Sequence, residues 1–187
     1  MSGKVVVNRS MSLDGFIGAP PGAKGSARWP RMSRFVESAD LAEIAGATGA
    51  MLIGRRTWDA GDEMEAAEPG SVDYPFNGPM FLLTHRPLDP PDPDATILSG
   101  DIEEAVATAQ DAAGGGDVEI LGADLATQCL THGLVDEILV YVLPVLAGDG
   151  VPFWWPGSTR IYLEPVSAKR SGAATILRFR VPKQTSE

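Results

Sequence analysis

The chain has 187 residues, 44% of them hydrophobic and 21% charged, which are the proportions of one globular domain large enough to bury a core. Its formal net charge of −10 argues against nucleic acid or an anionic membrane as a partner, because both attract a basic face. A single cysteine, Cys129, forbids an intrachain disulfide, and the only histidines, His85 and His132, stand without CxxC or HExxH spacing. No metal is therefore expected. The longest apolar tract, 138–147, is far short of a membrane span, and the opening apolar run is too short for a signal peptide. The expectation is a soluble cytoplasmic protein that forms a single domain over 1–187.

Residues 4–7 open as a β-branched run and read as a strand that continues to about residue 10, followed by SLDG at 12–15 and FIG at 16–18. The segment 19–31 has neither the helical nor the strand period and reads as a long loop, with Trp29 available to close over a pocket or to anchor the loop. Residues 33–47 have helix-forming composition; Glu37 and Asp40 share one side of that helix, and on their own they make a solvated acidic face. A short strand at 50–53 stops at Gly54, and Arg55, Arg56, Thr57 and Trp58 begin a helix. The acidic, glycine- and proline-containing stretch 61–78 reads as a surface excursion.

A buried strand at 79–84 ends in Thr84, His85 and Arg86 before a proline-rich loop that starts at Pro87. That trio suits the grip of a phosphate, and equally an ordinary polar strand end. Residues 101–113 form an amphipathic helix, capped by Asp101 and stopped by glycines 114–116. The run 118–121 is a strand; Gly122 ends it, and a helix starts at once with Ala123, Asp124, Leu125 and Ala126. Cys129, four residues after Leu125, packs in the core as a small hydrophobe. Residues 135–143 make a long strand, a glycine-rich turn leads to Phe153, Trp154 and Trp155, and 161–168 with 174–181 form a closing hairpin around 169–172.

Alternating strands and helices followed by a β-rich end predict an α/β fold. Its central sheet is mostly parallel, flanked by helices, with an antiparallel C-terminal hairpin. Ligands of such sheets bind beyond the carboxyl ends of the strands, where unpaired helix N–H groups attract anions. Gly54, Thr84 and Gly122 all fall at such ends. Each turn alone is also compatible with a plain connection, capped at Gly122 by Asp124 or water; three on one rim form a constellation.

MSLDGFIG at 11–18, LIGRRTW at 52–58, FLLTHRP at 81–87, ILGADL at 120–125, HGLVDEI at 132–138 and PVLAGDGVPFW at 144–154 occur in this order. The chain resembles the dihydrofolate reductase-like superfamily over nearly its whole length. Its nearer likeness is to the branch of the C-terminal reductase domain of the riboflavin-biosynthesis deaminase–reductase. The resemblance implies NADPH lying across the strand ends. Gly54, Arg55, Arg56 and Thr57 would meet its phosphates, and Thr84, His85 and Arg86 its 2′-phosphate. Gly122, Ala123, Asp124 and Leu125 would hold the pyrophosphate or nicotinamide side, and Ser10, Ile17 and Gly18 would border the nicotinamide. The superfamily often carries an acid on the first helix, for which Glu37 and Asp40 are the candidates, with a bound water as the alternative proton source. Two departures stand out: Leu121 precedes Gly122 where the family carries a Gly-Gly pair, and no deaminase zinc motif occurs, so a free-standing reductase is expected.

The implied activity is hydride transfer from NADPH to a pyrimidine- or pterin-like small molecule, resembling 5-amino-6-(5-phosphoribosylamino)uracil reductase. A dihydrofolate reductase-type activity and a catalytically inactive nucleotide-binding or sensory protein are the alternatives. Lys24, Arg28 and Arg31 could receive a substrate phosphate. The C-terminal strands with Trp154 and Trp155 would suit a homodimer.

Overall fold

The computed structural model describes residues 3–20, 29–70, 74–86, 88–90, 92–155 and 158–183. Strand β1 (Val5–Ser12) leads through the short β2 (Phe16–Gly18) and a 3-10 turn to helix α1 (Ser38–Ala47) and strand β3 (Thr48–Gly54). Helix α2 (Arg55–Ala67) and strands β4 (Met80–Leu83) and β5 (Ala95–Leu98) follow, then helix α3 (Ile102–Ala112), strand β6 (Asp117–Leu121) and helix α4 (Ala123–Thr131). The chain closes with β7 (Glu137–Leu143), the two-residue β8 (Val151–Pro152), β9 (Glu164–Ser171) and β10 (Ala174–Arg180).

Eight strands form one sheet in the order β5-β4-β3-β6-β1-β7-β10-β9, while β2 and β8 pair separately. The pairings from β5 to β7 are all parallel, and β10 runs antiparallel to both β7 and β9. The expected mostly parallel sheet with an antiparallel C-terminal hairpin is thus the observed one.

Side-chain alternation along the strands assigns each face its helices. Val5 and Val7 of β1, with Leu52, Val118 and Ile120, pack on Ala105, Val106 and Ala109 of α3 and on Leu125, Ala126 and Cys129 of α4. Val6, Leu139 and Tyr141 instead meet Leu41 and Ile44 of α1, and Met51, Ile53 and Leu82 meet Trp58 of α2. Helices therefore cover both faces, which is why the central strands are apolar on both sides.

The connectivity reverses between β3 and β6. After β3 the chain leaves through α2 toward β4 on one face, and after β6 it leaves through α4 toward β7 on the other. Adjacent strands whose following helices diverge to opposite faces open a crevice at their carboxyl ends.

Four boundaries differ from the sequence reading. The first helix begins at Ser38, because residues 32–34 form a separate 3-10 turn. Helix α2 runs through the supposed excursion as far as Ala67; the added Cβ that Gly61 lacks would meet open space, and Pro69 follows two residues after the helix end. The proline-rich loop contains β5, four residues ordered by pairing with β4 rather than by any period of their own. The hairpin turns at Gly172, with φ +55, so Lys169 and Arg170 belong to β9.

Candidate active site

The crevice at the reversal is lined by two glycine turns. Gly54 ends β3 and is the N-cap of α2; Gly122 follows β6 and is the N-cap of α4. Neither helix start receives a side-chain cap, so both present backbone N–H groups to the crevice. Helix α3, by contrast, is capped by Asp101, whose carboxylate accepts from the Glu104 N–H at 2.8 Å. The two turns pack closely. A Cβ placed on Gly122 would stand 3.1 Å from Thr57 Oγ1 and 3.4 Å from the Gly54 nitrogen, and Gly122 holds φ +120, which L side chains rarely adopt. Two positive helix ends meeting over side-chain-free backbone are suited to a bridging diphosphate.

Arg9 is a member of this rim that the sequence reading passed over. It lies on β1 beyond the last β1–β6 pair, and its Nη2 donates to the Gly122 carbonyl at 2.5 Å. Burial pulls its pKa down to about 10, so it stays cationic at neutral pH. Only its position past the end of β6 brings it there, and β-strand alternation alone would have placed it against the core.

On the other flank, Arg55 Nε donates to Asp59 Oδ1 at 2.7 Å and its Nη1 to the Arg86 carbonyl at 3.0 Å, tying the start of α2 to the end of β4. The buried Thr84 hydroxyl donates to the Arg86 carbonyl and accepts from its N–H, so Thr84 shapes the turn that carries His85 and Arg86 outward. The Arg56 and Arg86 side chains are in exposed residues and make no ion pair among the described residues.

Beside β1, Ser10 Oγ accepts from Trp29 Nε1 at 2.9 Å, so Trp29 anchors its loop on the strand. Ile17 and Gly18 lie in β2, paired with β8. The Asp14 carboxylate accepts from the Ala147 and Gly148 N–H groups at 2.9 and 2.7 Å, and a hydrogen bond from Ser12, followed by these two, holds its pKa down at about 2. SLDG and LAGDG are therefore two halves of one structure.

Glu37 and Asp40 sit at the start of α1 but face the C-terminal hairpin. Asp40 accepts from Lys169 Nζ of β9 at 2.7 Å, and that contact lowers its pKa. The Glu37 N–H donates to Ser171 Oγ, and Glu37 Oε1 lies beside Gly172. Neither is brought to the two glycine turns. Arg31 pairs with Glu68 at 2.6 Å, while Lys24 and Arg28 lie outside the described residues.

The family model of the RibD C-terminal domain matches residues 3–177. The chain belongs to that family. Solved structures agree in fold. A putative riboflavin biosynthesis protein from Shewanella is 21% identical, with TM-score 0.72, 96% of this chain and 99% of that one being covered. Acinetobacter baumannii RibD is 16% identical with TM-score 0.65, and a Thermotoga maritima diaminohydroxyphosphoribosylaminopyrimidine deaminase/5-amino-6-(5-phosphoribosylamino)uracil reductase is 14% identical with TM-score 0.64. In both, 97% of this chain is matched, but it spans only 58% and 57% of theirs. No curated protein sequence matches significantly. Membership in the RibD C-terminal family supports a reductase-like role of the riboflavin-biosynthesis kind. In this member, Leu121 packs with Met51, Ile53 and Trp58 on the α2 face, and the Leu121–Gly122 peptide is trans.

Proposed function

We propose that this RibD C-terminal family member is an NADPH-dependent reductase acting on a pyrimidine- or pterin-like small molecule, nearest in kind to 5-amino-6-(5-phosphoribosylamino)uracil reductase. The observation that carries the reading is the pair of uncapped helix starts at Gly54 and Gly122, in van der Waals reach of each other at the topological reversal. Backbone N–H groups of residues 55–57 and 123–125 bind the pyrophosphate. Arg86 and Arg56 take the 2′-phosphate, because an additional dianion requires unpaired cations and these two have no ion pair among the described residues. Ser10, Ile17 and Gly18 flank the nicotinamide. When bound, the dihydronicotinamide supplies the hydride.

The chain positions the substrate carbon and excludes water from it, with Trp29 fixed over Ser10. The proton for the neighbouring nitrogen or oxygen comes from a bound water, since Asp40 is committed to Lys169. The commitment of Asp40 to Lys169, with Leu121 at a usual glycine position, supports a second reading: a protein that binds the dinucleotide without turnover. We also propose that the protein is a homodimer that docks through the outer face of its C-terminal hairpin.

Titrating the protein with NADPH and following nucleotide fluorescence tests the first reading. Binding in the micromolar range is expected, and absence of binding at tens of micromolar overturns it. Arg86→Ala is expected to weaken NADPH roughly tenfold or more, the size of a lost charge-assisted contact, while changing NADH by less than about threefold. Equal losses would remove Arg86 from the 2′-phosphate. Oxidation of NADPH with a panel of pyrimidines and pterins separates the reductase from the binding protein.

A further inference from the structure

Among the described residues, no carboxylate pairs with Arg9, and its hydrogen-bond partner is the Gly122 carbonyl, which also accepts from the Ala126 N–H at 3.0 Å. The ionisable group nearest in effect is Cys129, itself buried, with its thiol pushed up to about 12 and hence uncharged. The partly buried guanidinium therefore sits at the start of α4, where it adds its charge to the positive end of that helix. The first turn of α4 does carry the exposed Asp124, yet no ion pair joins it to Arg9 among the described residues, and a partly buried charge left unpaired is costly. The buried carboxylate of Glu137, by contrast, is balanced by both Lys4 and Arg178, at 2.6 and 2.8 Å.

We propose that Arg9 is a positioning residue for the dinucleotide pyrophosphate, holding the Gly122 turn and supplying the positive charge that the bound diphosphate balances. This rests on the reading of the crevice as a dinucleotide site and names a specificity determinant within it. Arg9 selects for a doubly charged ligand, because it raises the cost of leaving the crevice without one.

Melting temperatures of the wild type, Arg9→Met and Arg9→Lys are compared without ligand, with inorganic pyrophosphate and with NADPH, at matched ionic strength. NADPH dissociation constants are measured alongside. Pyrophosphate is expected to raise the wild-type melting temperature and not that of R9M, and R9M is expected to bind NADPH at least tenfold more weakly. Arg9→Lys, which keeps the charge, is expected to retain at least half of the pyrophosphate shift. Without ligand, R9M is expected to melt no lower than the wild type, since a methionine removes an unbalanced charge while Gly122 keeps its Ala126 bond.

An R9M that keeps the pyrophosphate shift overturns the proposal whatever its own melting temperature. So does loss of the shift in R9K, which also decides the matter if R9M does not fold. A wild type that pyrophosphate fails to stabilise overturns it as well. If pyrophosphate stabilises the wild type through Arg9 but NADPH does not bind, the dinucleotide reading falls and the anion role of Arg9 stands. If NADPH binds equally to the wild type and R9M, the reading stands and the proposal falls.

Discussion

At the scale of single residues, Gly122 carries the heaviest constraint in the site. Its φ of +120 excludes L side chains on backbone grounds, and the 3.1 Å approach to Thr57 Oγ1 adds a steric one. Gly122→Ala is expected to cost about 1–3 kcal/mol of stability and to abolish detectable NADPH binding, as read by chemical denaturation and fluorescence titration. A second residue-scale feature lies away from the rim. Glu119 of β6 is buried; its Oε1 accepts from Thr48 Oγ1 and Tyr74 OH, each at 2.6 Å, while Oε2 has no hydrogen-bond partner in contact geometry among the described residues. Burial raises its pKa above the ordinary 4.5, against the opposing pull of the Thr48 and Tyr74 hydroxyls. A carboxyl whose folded-state pKa is raised contributes stability at low pH and loses it as pH climbs through the folded value. Glu119→Gln is therefore expected to melt higher than the wild type at pH 8, by about 2–4 °C for each kcal/mol of relieved ionisation cost, and the gap should close toward pH 5. A gap that does not change with pH would mean that the Glu119 pKa is the same in the folded and unfolded states.

At the scale of elements, α1 and the hairpin are braced by Lys169, whose Nζ reaches Asp40 at 2.7 Å and Glu43 at 3.4 Å. A carboxylate held ionised by a neighbouring cation is a poor proton donor at neutral pH. Asp40→Asn is accordingly expected to leave turnover within about threefold, where removal of a general acid costs about 100-fold or more. A loss of that larger size in kcat, with an unchanged NADPH dissociation constant, would restore Asp40 as the donor. Helix α1 also shows how far element reading from sequence carries. Residues 33–47 have uniform helical composition, yet the helix starts only at Ser38, because Phe35 is used as backbone: its carbonyl accepts from the Ala173 and Ala174 N–H groups of the hairpin. Strand β5 makes the same point in reverse, since ATIL is too short to show a period and becomes a strand only where β4 offers its edge.

At the scale of the whole molecule, the hairpin leaves one sheet face uncovered. Leu177 pairs with Ala168, and Val166, two residues along β9, is 46% exposed beside the half-buried Leu177 and Phe179 of β10. Among the described residues no helix covers this side, whereas Ile176 on the opposite side is buried with α1. An apolar sheet face of that kind is what the proposed homodimer would cover. The edge itself is blunted by Pro165, Lys169 and Arg170, which favours face packing over strand addition. Sedimentation is expected to show twice the chain mass, and Val166→Lys combined with Leu177→Lys is expected to give a monomer. A wild-type monomer at micromolar concentration would remove the homodimer. Among the described residues, no helix is long and apolar enough to cross a membrane.

The sequence by itself determined the elements that obey short-range rules. Gly54 and Gly122 are legible because a strand that must turn straight into a helix leaves a local signature, and Asp101 is legible because a cap lies within three residues of its partner. It also determined the α/β class and the likeness to the RibD family, through motifs that each span a few residues. Only the tertiary structure decided which of these turns meet. Strand order places β6 between β3 and β1, so that residues 54 and 122, far apart in the chain, come into contact, and it carries Arg9 past the end of β6 onto the Gly122 carbonyl. It likewise gave Asp40 to Lys169, 129 residues away. Neighbourhood along the chain is fixed by covalent spacing, but neighbourhood across a sheet is fixed by crossover connections. The charge balance of a crevice therefore depends on contacts that no local pattern encodes.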